Sequence, residues 1–371
     1  MRVLHIVTGL ASGGAERQLQ LLLRHLPAHQ HCEVAALTNP GTVADALRAD
    51  GVTVHHLAMR GNRDVGALPR LVRLIRAGGY DLVHTHLYRA GLYGRPAARL
   101  AGVRAVVATE HSLHAGAIEG RPVTRGVKGL YLAAERLGTT TVAVSRQVAQ
   151  TLYAWGVPPA RVELIPNGID AARYRRPDAE RAAVRRRVRA ELGLPQGSWV
   201  VGGVGRLVPG KRFDVLLEAL AAVDSGTRLV LIGEGPERAA LERRAARLGV
   251  RDRLVLTGER DDVPELLTAL DVLAAPSTEE TFGLGVLEGL AAGLPVRHSA
   301  CPALDELPPA AAPQARRIPS EAAAYTAALR DLRHLNDHST APLPHPPAVG
   351  HYDIVRVAAD LGALYDRLAP A

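Results

Sequence analysis

Lysine is nearly missing from this chain. Of its 45 basic residues only Lys128 and Lys211 are lysines, so arginine is the default cation and each lysine stands out. Aromatic residues fill 4% of the 371 positions, too few for the stacking platforms that hold single-stranded nucleic acid. Two cysteines, Cys32 and Cys301, do not make a disulfide framework, which fits a reducing compartment. No apolar run reaches the roughly 18–20 residues that span a bilayer. The opening Met1-Arg2-Val3-Leu4-His5-Ile6-Val7 reads as a strand rather than a secretory leader, so a cytoplasmic protein is expected. The formal net charge of +8 favours anionic partners such as phosphates or an acidic membrane face, and the shortage of aromatics sets nucleic acid aside.

The length suits two domains, and 47% hydrophobic residues let each build a core. Short apolar runs at 3–7, 33–37, 52–56, 81–84, 105–109, 140–144 and 162–165 alternate with helical stretches, the first of them Ala15–Leu26. Such alternation predicts a parallel sheet covered by helices. The pattern breaks at the turn-forming Pro166-Asn167-Gly168-Ile169-Asp170 and a basic helix over 178–192. It restarts at Trp199–Val204 and runs to Val272–Ala275. The expected domains are 1–175, 176–350 and a terminal segment, 351–371. In that segment Ile354, Val355, Ala358, Leu361, Leu364, Tyr365 and Leu368 form a helical stripe.

Three segments carry chemistry. The run from Ser277 through Thr281, Phe282, Gly283 and Leu284 to Val296 holds Glu280 in a polar loop and Glu288 on a helix opening near Phe282–Gly283. A helix N-terminus presents free amides and partial positive charge, a seat for phosphate, and the two acids can accept from hydroxyl groups. Together they suit a sugar joined to a nucleotide diphosphate. The strand from Trp199 ends in Gly202-Gly203-Val204-Gly205-Arg206-Leu207-Val208-Pro209-Gly210-Lys211. Its two cations, Arg206 and Lys211, lie past the carboxyl end of a strand, where open α/β sheets bind ligands, and can stabilise a departing diphosphate without a metal. The spacing imitates a Walker A loop, but Arg212 stands where the magnesium-binding hydroxyl belongs. At the other end of the chain, Gly13 and Gly14 in Gly9-Leu10-Ala11-Ser12-Gly13-Gly14 allow a tight turn into a helix, with no Gly-x-Gly-x-x-Gly dinucleotide fingerprint.

The 277–296 run resembles the donor-site signature of the retaining nucleotide-sugar glycosyltransferases of family four, which have the GT-B fold. Thr281 replaces the usual Gly, and Gly289 a frequent Ala. The resemblance implies an α/β protein of two facing doubly wound Rossmann-like domains, with the terminal helix crossing back to the first. The first domain would take the acceptor and the second the donor, with reaction in the cleft after closure. His111 matches the family's active-site histidine and, with Glu280, would orient the transferred sugar. Arg206, Lys211 and the Gly283–Leu284 helix end would hold the diphosphate, and Glu288 the ribose. The Gly13-Gly14 loop would reach the donor after closure. Gly233 and Gly235 would lie beside the nucleotide, and Gly258-Glu259-Arg260 beside the base. No metal or other cofactor is implied: His84 and His86 share a strand face but have no acid or cysteine at ligand spacing.

The implied activity is metal-independent retaining transfer of a hexosyl unit, from a UDP-sugar in preference to a GDP-sugar. The acceptor is a hydroxyl of a glycan, a lipid-linked sugar or a natural product. After Val296 the chain departs from the family, with Arg297-His298-Ser299-Ala300-Cys301 in place of a small apolar run and a Gly-Gly turn. A nucleotide-sugar epimerase on the same fold and a non-catalytic nucleotide-sugar binding module remain as alternatives. Arg121, Arg125, Lys128 and Arg136, spread over a patterned 122–137 stretch, offer either a solvated helix face or a peripheral contact with anionic membrane at the inner face of the plasma membrane. Arg175-Arg176 and Arg185-Arg186-Arg187 are expected at the surface. Oligomeric state is left open.

Overall fold

Nearly every short apolar run in the first half becomes a strand of one parallel sheet. The computed structural model describes residues 1–11, 13–61, 64, 66–114, 116–335 and 341–369; Ser12 of the glycine loop lies outside them. The chain divides into two units, Met1–Gly168 with Ile354–Ala371, and Ile169–Asp353, so the division falls inside the Pro166–Asp170 turn.

The first unit holds β1 (Arg2–Val7), β2 (His31–Ala36), β3 (Val54–His56), β4 (Leu82–His86), β5 (Ala105–Glu110), the small hairpin β6 (Ala117–Ile118) and β7 (Arg121–Pro122), β8 (Thr140–Ala143) and β9 (Val162–Leu164). The sheet order is β3-β2-β1-β4-β5-β8-β9, with every neighbouring pair parallel. The order reverses between β1 and β4. Ligands of open α/β sheets settle at that point, beyond the carboxyl ends of the strands. Val7 leads from there into the glycine loop, and β4 ends there at His86.

Alternation along the strands sorts the core. Leu4, Ile6, Val83 and Val106 pack on one face, with Leu71 and Ile75 of the helix Ala67–Gly78. Val3, Leu82, Ala105 and Val107 pack on the other, with Ile354, Val357, Leu361, Leu364 and Tyr365 of the terminal helix Ile354–Leu368. The terminal helix therefore belongs to the first unit. Burying each of the valine, leucine and isoleucine side chains among them contributes on the order of 1.5–3 kcal/mol before entropy is charged. Val355, placed in the stripe from sequence, is 59% exposed; Val357 takes the buried position.

The second unit repeats the plan with β10 (Trp199–Val204), β11 (Thr227–Ile232), β12 (Leu254–Leu256), β13 (Val272–Ala275), β14 (Val296–His298) and β15 (Ala315–Arg317), ordered β12-β11-β10-β13-β14-β15 and parallel throughout. Its switch point lies between β10 and β13, the two strands that lead into the Arg206–Lys211 and Ser277–Leu284 segments. Strands β14 and β15 escaped the sequence reading because Val-Arg-His and Ala-Arg-Arg carry no apolar run.

The basic helix Asp178–Glu191 is less solvated than expected. Arg185 donates to the carbonyls of Thr268 (2.9 Å) and Leu270 (2.8 Å) and to Asp271. Arg189, 2% exposed, donates to the other Asp271 oxygen at 2.8 Å. Both arginines are thus paired within the second unit rather than displayed at its surface.

Candidate active site

In the second unit three loops after successive strands are laced together at the sheet's carboxyl edge. Gly205 donates to the Ile232 carbonyl (3.0 Å), Leu207 to Glu234 (3.0 Å), Glu237 to Leu207 (2.9 Å) and Gly233 to Gly258 (3.1 Å). Glycine makes this approach feasible. A Cβ on Gly233 would strike the Gly205 carbonyl, and one on Gly235 would stand 2.7 Å from the Leu207 amide. Gly233→Ala and Gly235→Ala are each expected to lower the stability of this unit by about 2–4 kcal/mol. A chemical denaturation series reads this directly, and an unchanged midpoint would show that the lacing is dispensable.

This lacing positions the cations. Val208 leads into a short turn, Pro209–Lys211, and Thr278 donates to the Gly210 carbonyl (3.1 Å), tying the turn to the acidic loop. The Lys211 ammonium meets the Glu280 carboxylate in an ion pair whose side chains are 24% and 14% exposed. The sequence assigned these two groups to different parts of a ligand; here each is the other's partner. The Lys211 stem lies over Gly205, its Nζ 3.5 Å from where a Cβ would stand. Arg206 is exposed and has no ion-pair partner among the described residues.

The signature helix runs over Leu284–Ala291, and Gly283 before it takes a left-handed conformation (φ 100°). The amides of Val286 and Leu287 turn back onto the Gly283 carbonyl, which leaves those of Leu284 and Gly285 as the outward donors of the first turn. The departure after Val296 supports this turn: Cys301 sits where a Gly283 Cβ would be, with Sγ 2.6 Å from that position. Gly289 lets the helix lie close on β13, since a Cβ there would come 2.5 Å from Leu273. The Glu288 carboxylate accepts from the Tyr174 hydroxyl (3.0 Å), a partner the sequence did not reveal because 114 residues separate the two.

Two other candidates take a different part. The Phe282 ring is 2% exposed and packs edge-on against Tyr352 (5.0 Å, 81°), so only its backbone can face a ligand. Arg260 is committed to Asp262 and Glu191 at 2.6 and 2.8 Å, and those hydrogen bonds raise its pKa. Thr281 is half-buried in the loop before them.

In the first unit Gly13 precedes the helix Gly14–His25 in extended conformation, and the helix carries Glu16 in its first turn. His111 follows β5 and is 6% exposed. Its Nε2 lies 3.1 Å from His86 Nδ1, and His86 Nε2 lies 3.0 Å from His5 Nδ1. His84 stacks on His86 with ring centroids 4.1 Å apart; its own nitrogens meet Tyr365 Oη (2.5 Å) and Thr109 Oγ1 (2.7 Å). Burial lowers the pKa of all four: His5 to about 3, His111 to about 4, and His84 and His86 well below 6.5. For His111 a side-chain interaction with Asn167 opposes the shift.

The sequence paired His84 with His86 but did not add His5, although a parallel neighbour strand puts His5 opposite His84. Ligand atoms of His5, His84 and His86 lie within 4.8 Å of one another, a spacing open to a cation. Five of their six ring nitrogens already face hydrogen-bond partners, so the cluster is held together as a hydrogen-bonded stack.

Comparison with known proteins bears on this pair of sites. The family models Glycosyltransferase Family 4 and Glycosyl transferases group 1 match residues 12–173 and 184–334. A GDP-mannose-dependent alpha-mannosyltransferase of Mycobacterium tuberculosis (strain CDC 1551 / Oshkosh) is 33% identical over 296 residues, 76% of this chain and 74% of that protein. The chain belongs to the family 4 glycosyltransferases. The UDP-Gal:alpha-D-GlcNAc-diphosphoundecaprenol alpha-1,3-galactosyltransferase of Escherichia coli is 31% identical over 243 residues, 63% of this chain and 61% of that protein. Across the first curated relatives this family member spans between 50% and 62% of their length. Among solved structures, Anabaena Alr3699/HepE in complex with UDP and glucose superposes with a TM-score of 0.85, over 99% of this chain and 100% of that one, at 22% identity. That likeness is one of fold, and the fold is GT-B.

Proposed function

We propose that this family 4 member transfers a hexosyl unit from a nucleotide-diphosphate sugar to a hydroxyl acceptor, with retention of the donor's anomeric configuration and without a metal. The observation that carries the reading lies within the second unit. One switch point brings together Lys211, Glu280, Arg206, which has no ion-pair partner among the described residues, and the Gly283-opened helix that carries Glu288. The cations and the Leu284 and Gly285 amides suit a diphosphate that gains charge as it leaves. Glu288, held by Tyr174, suits the ribose hydroxyls. Glu280, and His111 of the first unit, suit the hydroxyls of the transferred sugar. No side chain of the site is assigned as a general base, because an oxygen of the departing diphosphate can take the acceptor's proton.

UDP is the favoured nucleotide. UDP-galactose and GDP-mannose appear in relatives' names, and UDP with glucose occupies the structural neighbour. The acceptor is a glycan, a lipid-linked sugar or a natural product. The test is a panel of UDP- and GDP-sugars scored by thermal stabilisation in magnesium-free buffer, followed by analysis of the stabilising sugar's fate. Stabilisation by a UDP-sugar, and product of unchanged anomeric configuration once an acceptor is added, support the reading. Interconversion of the sugar without acceptor would make the protein an epimerase instead, and binding without turnover under any acceptor a binding module.

No helix of the described residues is long and apolar enough to cross a membrane. Peripheral membrane contact is part of the proposal. The helix Arg125–Glu135 and its flanks expose Leu130 (54%) and Leu137 (38%) beside Arg121, Arg125 and Arg136, with Glu135 turned inward to Arg161.

A further inference from the structure

We propose that Tyr352 is a positioning residue for the diphosphate seat: it holds the Phe282–Gly283 turn from which the Leu284 and Gly285 amides project. This role rests on the reading of those amides as partners of the donor's diphosphate, but the hold on the turn can be observed without any ligand.

The turn draws its constraint from elsewhere in the chain. Gly283 is left-handed (φ 100°), and no side chain caps the helix Leu284–Ala291 that it opens. Glycine is the residue freest to leave such a conformation. Two neighbours from the segment after β14 bear on it. The Ala303 amide donates to the Phe282 carbonyl at 3.0 Å. The Cys301 thiol lies against the same backbone, its Sγ 3.6 Å from the Phe282 carbonyl oxygen.

Tyr352 reaches this arrangement by two routes. Its ring meets Phe282 edge-on, with centroids 5.0 Å apart. Its hydroxyl donates to the Ala303 carbonyl at 2.7 Å. Ala303 therefore receives a hydrogen bond from Tyr352 and gives one to Phe282, and the contacts close a loop around the turn. Cys301, Phe282, Ala303 and Tyr352 are all buried, so water does not replace any of these contacts. A buried tyrosine hydroxyl that loses its acceptor, or a buried carbonyl that loses its donor, carries a desolvation cost, which keeps the ring in one place.

The backbone of Tyr352 is anchored as well. The chain passes between its two units at Gly168–Ile169 and again at Asp353–Ile354. On the side of the second unit, the Ile169 amide donates to the Tyr352 carbonyl at 2.7 Å, and Ile169 forms a parallel bridge with Asp353. Tyr352 thus stands on a paired strap and extends its side chain to the donor signature. The sequence did not show this, because 70 positions separate Tyr352 from Phe282.

The test compares Tyr352→Phe, which keeps the ring and removes the hydroxyl, with Tyr352→Leu, which removes both contacts. It uses the full-length protein. Hydrogen exchange without ligand reads the turn through the amides of Ala303 and Val286, which donate to Phe282 and Gly283. Both amides are expected to exchange about tenfold faster in Tyr352→Phe. Calorimetry with UDP and with uridine, which lacks the phosphates, reads the seat. The UDP Kd is expected to rise about three- to tenfold in Tyr352→Phe and more in Tyr352→Leu, with the uridine Kd changed by less than about twofold. Equal losses for UDP and uridine overturn the proposal, because they mean general loosening. Unchanged exchange of both amides in Tyr352→Phe overturns it too, and that variant decides the matter if Tyr352→Leu does not fold. Faster exchange with unchanged UDP affinity, or a wild type that binds no UDP, overturns it differently: the turn is not the diphosphate's seat, and the role given above to the Leu284 and Gly285 amides falls with it.

Discussion

Lys211→Ala is expected to lower kcat/KM for sugar transfer by about 10²–10³-fold, the range found when one preorganised electrostatic group is removed from a reacting centre. The geometry explains why the effect should exceed that of Arg206→Ala. Lys211 is held on two sides, by Glu280 and by the bare surface of Gly205, and three quarters of its side chain is withdrawn from water. A cation fixed in that way needs little reorganisation when a diphosphate arrives. Arg206 is exposed and unpaired among the described residues, so solvent and salt screen it and its loss should cost about tenfold. Lys211→Arg is not expected to rescue, because a planar guanidinium cannot take the place of a compact ammonium between Gly205 and Glu280. The measurement is steady-state kinetics with the donor identified by the panel. Turnover by Lys211→Ala within a few-fold of wild type would remove the ion pair from the mechanism.

The second large effect is on stability. Between pH 6.5 and 5 the first unit is expected to lose most of its thermal stability, read as a falling melting temperature. Burial holds His5, His84, His86 and His111 neutral in the folded state, with pKa values below 6.5. In the unfolded chain each takes up a proton as the pH falls through 6.5. The unfolded state then binds more protons, and stability present above 6.5 drains away as the pH drops toward the folded pKa values. The slope is about 1.4 kcal/mol per pH unit per group, so four groups over one and a half units amount to roughly 5–8 kcal/mol, comparable to the whole stability of a domain. Glu110 and Glu119, whose pKa values burial raises, pull the other way near the bottom of this range but are only two. A melting temperature flat from pH 7 to 5 would contradict the account. His5→Leu should flatten the slope by about one group's share.

The division between what was legible and what was hidden follows contact range. Strand–helix alternation is local, so both sheets could be read, and Val272–Ala275 falls where its apolar run stands. Strands β14 and β15 could not, because three-residue segments interrupted by arginine, the last of them at the sheet's edge, owe their existence to the strands beside them. The glycine signals were legible for a related reason: Gly283 takes a backbone conformation that its own identity announces.

The sequence by itself determined the two-unit α/β plan, the family, and the chemical kind of each site residue, since apolar period, glycine placement and a contiguous signature all lie within a few residues of chain. Only the tertiary structure decided how those residues are held. It paired Lys211 with Glu280 and Glu288 with Tyr174, turned Phe282 into the core, bound Arg260 to acids, and gathered His5 and Tyr365 into the stack behind His111. Each of these contacts joins distant parts of the chain except that between Arg260 and Asp262. A hydrogen bond depends on distances of a few tenths of an ångström, which the parallel register sets and the order of letters does not encode.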